Sequence, residues 1–109
     1  MQLITITGGR TLHGRIRPAA AKNSVLPLLA ATLLCRTPSR LRAVPPLADV
    51  ATSLALLQSV GAKAERQGSD LFVAPGQDLQ GEIPDYLAGA MRSSVFYLAP
   101  LLCRVGEVR

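Results

Sequence analysis

An apolar run from Ser24 to Cys35 sets the strongest constraint on how this 109-residue chain folds. Its letters, "SVLPLLAATLLC", place leucine and alanine on nearly every side of a helix, so the predicted helix has to be buried on most of its faces. Lys22 and Asn23 stand directly before it. The run falls short of the roughly 18 apolar residues that a membrane span needs, so we predict no transmembrane segment.

Strands are predicted before this helix. The alternating, β-branched "LITIT" predicts one strand over residues 3–7, and "TLHGRIRP" predicts a second that ends at Pro18. We expect the side chain of Asn23 or Ser24 to cap the helix, because either can accept from its first free N–H groups.

The rest of the chain predicts the order α-β-α-β-β-α from residue 22, which places it in the α+β class. The final "GEVR" is expected to begin a further strand. The predicted elements are a strand at 39–44, a helix capped by Asp49 and ended by Gly61, a hairpin turning at Gly68–Ser69, and a helix over 88–106 that Pro100 kinks or tightens.

Charge is distributed unevenly along the chain. The net charge is +5, yet residues 1–48 carry seven bases and no acid. Such a basic half indicates an anionic partner. Nucleic acid is one candidate, but no aromatics interleave with the arginines, so base stacking has little support. A small phosphorylated ligand fits equally well.

The familiar catalytic devices are missing from the sequence. It has no Gly-rich phosphate loop and no dinucleotide fingerprint. His13 is expected at the surface. Cys35 and Cys103 match no metal or redox spacing, and we expect both as reduced core thiols of a cytoplasmic protein. The N-terminus also lacks the pattern of a signal peptide.

Two positions are candidates for binding. At Lys22 and Asn23, the free N–H groups and positive dipole end of a helix lie beside an ammonium and an amide, a combination suited to an oxyanion. Arg92 is the only charge in the apolar "AGAMRSSVFYLAP", where an arginine must either find an anion or extend its head to solvent. A solvated helix start and a solvent-seeking arginine remain open as alternatives.

Three segments carry a resemblance to a known family. "GGRTLHGRIRPAAAKNSVLPLLAATLL", "VPPLADVATSLALLQSVGAKAER" and "MRSSVFYLAPLLCRVGEV" resemble, in order and spacing, the start of the UDP-N-acetylglucosamine enolpyruvyl transferases. The sister family that makes enolpyruvyl-shikimate phosphate usually has Asp-Lys-Ser where this chain has Ala21-Lys22-Asn23. That difference favours the nucleotide-sugar enzymes.

The resemblance implies a function. Enzymes of this family move the enolpyruvyl group of phosphoenolpyruvate to the 3-hydroxyl of UDP-N-acetylglucosamine for peptidoglycan precursor synthesis. Lys22 and Asn23 match a pair that contacts phosphoenolpyruvate, and Arg92 matches an arginine expected to contact the nucleotide sugar. No metal or organic cofactor is implied.

The resemblance also implies a partial enolpyruvyl-transferase-like fold, in which two domains are built from βαβαββ units. Residues 1–21 would form a strand pair of the first domain, and residues 22–109 an incomplete second domain. The family usually has glycine at Ala20, where alanine would strain a backbone of positive φ by roughly 1 kcal/mol.

The family's general-acid cysteine lies on a loop beyond residue 109, and neither Cys35 nor Cys103 takes its role. We therefore expect a truncated enzyme that is inactive without the remainder of the same protein. One alternative is a small basic module that binds RNA or protein without catalysis. Another is a structural remnant whose unpaired sheet edges promote aggregation.

Overall fold

A computed structural model describes residues 2–109. The elements follow the predicted order α-β-α-β-β-α, with three short additions: one 3₁₀ turn directly after the first helix, and a short helix and a 3₁₀ segment before the last helix. They are α1 (Lys22–Ala31), a 3₁₀ turn (Thr32–Leu34), β1 (Ser39–Leu41), α2 (Ala48–Ser59), β2 (Lys63–Gln67), β3 (Asp70–Ala74), α3 (Asp85–Ala88), a 3₁₀ segment (Arg92–Tyr97) and α4 (Leu98–Val105). The α+β class is confirmed.

The sheet has three strands in the order β1-β3-β2, and β3 is antiparallel to both neighbours. The predicted hairpin is confirmed, with Gln67 opposite Asp70 across the Gly68–Ser69 turn. Gly68 has φ +60°, and a type II′ turn needs such a positive φ at its first central position. The first strand is shorter than predicted, and Ala43 follows it with φ +55°.

The core lies between the sheet and the helices. Leu71 and Val73 of β3 point inward from alternate positions, as a half-buried strand requires, and are fully buried. Helix α1 packs against α2 and the 3₁₀ segment. The expectation that α1 is buried on most faces is wrong, since Leu28 is 57% exposed. The buried residues of α1 are Val25, Leu26, Leu29 and Ala30, a spacing that places them on one side of the helix. Within residues 2–109 no helix is long and apolar enough to cross a membrane.

Both predicted helix caps are wrong. Helix α1 starts at Lys22, one or two residues earlier than expected, and Ala21 takes the N-cap position, so Asn23 and Ser24 already lie inside the first turn. Helix α2 starts at Ala48, which places Asp49 in the first turn rather than at the cap. Within the described chain neither N-terminus has a side-chain cap.

The single helix predicted over 88–106 is also wrong. Helix α3 ends at Ala88 with Gly89 as its C-cap, and Met91 has extended backbone angles (φ −149°, ψ 143°) that interrupt any continuous helix. The chain then forms the 3₁₀ segment before α4. Pro100 lies in the first turn of α4, where its missing N–H removes no intrahelical bond, so the helix needs no kink.

Residues 2–21 contain no strand in the structure, so the strands predicted over residues 3–7 and up to Pro18 are not seen. All of these residues are exposed, including His13 as expected. The large apolar side chains Leu3, Ile4, Ile6, Leu12 and Ile16 are each more than 80% exposed. The division of the chain at residue 21 stays a prediction.

Cys35 and Cys103 are free, as predicted for reduced thiols. Their placement in the core is wrong, because both are exposed. Leucine-rich surroundings in the sequence are a poor guide here, since each cysteine falls on the outward side of its segment or just past its end.

The final residues begin a pairing without forming a full strand. The Arg109 N–H donates to the Gly81 carbonyl (2.7 Å), and the Ile83 N–H donates to the Arg109 carbonyl (2.9 Å). Bonds to the residues on either side of Glu82 are the pattern of a parallel ladder. The strand start predicted for "GEVR" is therefore visible only as these two hydrogen bonds.

Candidate functional site

An open groove of about 330 Å³ lies where α1, α2 and the 3₁₀ segment meet. We call it the Lys22 groove. It brings together all three residues that the sequence singled out for binding, Lys22, Asn23 and Arg92. The remaining lining residues are Leu26, Asp49, Ser93, Val95 and Phe96.

Helix α1 supplies the first wall. The N–H groups of Ser24 and Val25 donate to the Ala21 carbonyl (3.1 and 3.2 Å). Those of Lys22 and Asn23 come too early in the helix to have an intrahelical acceptor. They lie at the positive end of the helix dipole, which favours an anion and disfavours a cation by about 0.3–1 kcal/mol. Lys22 therefore stands where helix stability alone would not place it.

Helix α2 supplies the second wall through Asp49. Its carboxylate forms an ion pair with the Lys22 ammonium. The Asp49 side chain is 28% exposed and the Lys22 side chain 51% exposed, so the carboxylate is the more anchored partner. This pair links the N-terminal ends of two helices within the groove lining.

The 3₁₀ segment supplies the third wall, with Arg92 at its start and Val95 and Phe96 further along. Two buried side chains hold it in place, Met91 just before it and Tyr97 at its end. Arg92 itself is exposed, and no carboxylate of residues 2–109 lies within ion-pairing distance of it. Its guanidinium is thus free to receive an anion from the groove.

Tyr97 packs beneath this segment with 1% of its surface exposed. Burial raises the pKa of Tyr97 to about 12, because the phenolate would be poorly solvated there. The nearby Ser53 hydroxyl lowers the pKa of Tyr97 and so offsets part of that rise. The Ser53 hydroxyl itself donates to the Met91 sulfur (3.6 Å). Among the described residues the Tyr97 hydroxyl has no hydrogen-bond partner.

The groove therefore presents two cations, one amide, one carboxylate and the Ser93 hydroxyl beside an apolar surface. Sequence reasoning found Lys22, Asn23 and Arg92 but took Asp49 for a helix cap. The identity of its partner could not be inferred, because the ion pair depends on how α1 and α2 pack. In the part of the chain that the structure describes, no cluster of His, Cys, Asp and Glu could hold a metal ion.

Comparison with known proteins decides the family. The family model described as EPSP synthase (3-phosphoshikimate 1-carboxyvinyltransferase) matches residues 6–109. The chain belongs to this family. The solved structure of the enolpyruvyl transferase NikO from Streptomyces tendae has a similar fold, with a TM-score of 0.76 and 27% identity over 91% of this chain and 23% of that one.

Curated relatives within the enolpyruvyl transferases carry a more specific name. A UDP-N-acetylglucosamine 1-carboxyvinyltransferase of Sorangium cellulosum is 43% identical over all of this chain, one of Myxococcus xanthus 42%, and one of Oleidesulfovibrio alaskensis 44%. The chain spans only about 26% of the length of the Sorangium protein. These matches give no support to the alternative of an RNA- or protein-binding module.

Proposed function

We propose that this chain forms part of an enolpyruvyl transferase that acts on phosphoenolpyruvate and UDP-N-acetylglucosamine. The observation that carries the proposal is the convergence of Lys22, Asn23 and Arg92 on one groove. The names of relatives at 42–44% identity over the whole chain support the choice of sugar nucleotide. The remainder of the same enzyme is the partner that would complete the site.

In this proposal Lys22 and Asn23 bind phosphoenolpyruvate. The ammonium and the free N–H groups of α1 offer charge-assisted hydrogen bonds to an anionic group, and the amide of Asn23 fixes its orientation. Fixed cations in a partly apolar groove also stabilise negative charge as it shifts during a reaction, without reorganising at that moment.

Arg92 binds the second substrate. Its guanidinium is planar and can hold two oxygens of a phosphate or carboxylate at once, which suits the diphosphate of a nucleotide sugar. Since Arg92 and Lys22 lie on different walls, the two substrates can approach each other across the groove.

The reaction is an addition followed by an elimination. The 3-hydroxyl of the sugar adds to the substituted carbon of the enol double bond and a proton is added at the methylene carbon, giving a tetrahedral intermediate. Loss of phosphate, and of a proton from the methyl group formed in the addition, then restores the double bond. The residues described here bind and orient the reactants. We place the enzyme in the cytoplasm, where its two exposed, free cysteines would stay reduced.

A titration of phosphoenolpyruvate followed by amide NMR tests the proposal. We expect saturable shifts at Lys22 and Asn23, and their loss in Asn23→Asp, which adds a negative charge to the groove. Gln77→Glu adds the same charge at an exposed position outside the groove and should leave the shifts intact. Shifts absent from the groove, or lost equally in both variants, would contradict the assignment.

A further inference from the structure

We propose that Asp49 is a positioning residue, whose carboxylate fixes the Lys22 ammonium in the groove and so makes the groove prefer phosphoenolpyruvate over simple anions. This inference rests on the proposed function and assigns the one charged lining residue to which that function gives no role. The contact that the structure shows for the Asp49 carboxylate is with the Lys22 ammonium, so Asp49 is assigned a role that acts through its neighbour.

Asp49 is suited to be the fixed member of the pair. It lies in the first turn of α2, where the helix dipole stabilises a carboxylate. The neighbouring Val50 and Ser53 are fully buried and hold that turn against the core. Lys22, by contrast, ends a flexible four-carbon stem and is half exposed. The rigid partner therefore determines where the mobile ammonium lies.

The source of the countercharge is informative. Helix α1 has no acidic residue in its own first turn, which is the usual place to offset a cation at a helix N-terminus. The offset comes instead from α2, on another wall of the groove, and holds the Lys22 ammonium at the groove lining. An acid within α1 would neutralise the lysine equally well without directing it there.

Asp49 also works against simple anion binding. It is the only carboxylate lining the groove within residues 2–109, and it repels any anion that approaches Lys22. A groove that merely collected anions would bind them better without it. A carboxylate at this place is useful when the ligand has two anionic groups at a set separation, as phosphoenolpyruvate has, because such a ligand gains from a cation held in one position.

Inorganic phosphate does not need a lysine held in one position. It has a single anionic centre and can follow a mobile lysine wherever the side chain goes. Removing the Asp49 charge should therefore strengthen phosphate binding while it weakens phosphoenolpyruvate binding. A purely structural ion pair would change both affinities in the same direction.

Acylation of lysine, read by mass spectrometry, can follow both effects. The chain has only two lysines, Lys22 and Lys63, and Lys63 is exposed on β2 outside the groove, so it serves as the internal control. The rate at Lys22 relative to Lys63 would be measured in the natural chain, Asp49→Asn and Asp49→Glu. Each protein is tested alone, with phosphoenolpyruvate and with inorganic phosphate.

We expect Asp49→Asn to raise the ligand-free rate at Lys22 about threefold, as loss of an exposed ion pair allows. Protection of Lys22 should then need more phosphoenolpyruvate and less phosphate than in the natural chain. The ratio of the two protecting concentrations, which measures the preference for phosphoenolpyruvate, should fall about tenfold. Asp49→Glu keeps the charge and should retain most of the preference.

Three results would decide against the proposal. An unchanged ligand-free rate in Asp49→Asn would show that the carboxylate does not hold Lys22. An unchanged preference would show that holding it does not select the ligand. If Asp49→Asn raises the rate but phosphoenolpyruvate never protects Lys22, the proposed function itself fails, and Asp49 is left with a structural role only.

Discussion

Lys22 and Arg92 line one groove, although β1, α2 and the hairpin separate them in the sequence. Helix α1 carries the first residue and the 3₁₀ segment the second, and these two elements pack directly against each other. The two cations of the site are therefore placed by the core rather than by a loop, and single substitutions can test each one.

Replacing Arg92 should weaken the binding of UDP-N-acetylglucosamine. Arg92→Gln keeps a polar side chain but removes the charge and the paired donors, and we expect about a tenfold loss of affinity, typical of a charge-assisted hydrogen bond. Isothermal titration calorimetry measures it. Arg36→Gln, at an exposed arginine outside the groove, removes the same charge and should bind as the natural chain does. Equal losses in the two variants would indicate a general charge effect.

Residues 1–109 by themselves should not turn over the substrates. Asp49 is the only acid lining the groove in the described chain, and it is committed to Lys22. Cys35 and Cys103 lie outside the groove, so neither is placed to donate a proton there. A coupled assay for phosphate release should stay at background with both substrates present. Phosphate release above a Lys22→Gln control would show that the chain is catalytic on its own.

Alkaline pH should destabilise the protein through Tyr97. The pKa of Tyr97 is raised to about 12 in the folded state, whereas it is near 10 in the unfolded chain. Below pH 10 the phenol is protonated in both states and the folded protein has its full stability. Between pH 10 and pH 12 only the unfolded chain ionises, so the free energy of unfolding falls. The expected loss in the free energy of unfolding is about 1 kcal/mol by pH 11. Urea unfolding at pH 8 and pH 11 measures it.

Tyr97→Phe is the matched variant for that experiment. It removes a buried hydroxyl that has no partner among residues 2–109, so stability at pH 8 should stay the same or increase. The difference between pH 8 and pH 11 should shrink by the amount assigned to Tyr97. Parallel losses in the two proteins would place the alkaline effect on other groups.

Gly76 should not tolerate a side chain. A Cβ at this position would run into the backbone carbonyl of Gly61, just after α2, and backbone atoms cannot move aside cheaply. We expect Gly76→Ala to lower the free energy of unfolding by about 1–3 kcal/mol, the usual range for overpacking. Gly8→Ala, where a Cβ meets nothing within 4 Å, is the control and should unfold at nearly the natural denaturant concentration.

The parts of the fold that the sequence predicts well depend on local patterns. The alternation through β3 and the Gly68–Ser69 turn define the hairpin without help from distant residues. The break at Met91 is not predictable from local pattern, because apolar residues continue on both sides of it and only Gly89 indicates a stop.

The parts that it predicts poorly depend on partners. "LITIT" has the composition of a strand, yet a strand exists only where another backbone offers hydrogen bonds, and none of the described strands does so. The residues of the groove also differ in how far the sequence predicts them. The Lys22-Asn23 pair and Arg92 stand out locally, whereas the role of Asp49 arises only from the packing of α1 on α2.

The most direct test of the account compares the two lysines of the chain as phosphoenolpyruvate ligands. Lys22→Gln removes the ammonium of the groove, and Lys63→Gln removes the only other one, from an exposed position on β2. Calorimetric titration with phosphoenolpyruvate should show at least about a tenfold loss of affinity for Lys22→Gln and none for Lys63→Gln. Equal affinities in the two variants would contradict the assignment of Lys22 as the phosphoenolpyruvate-binding cation.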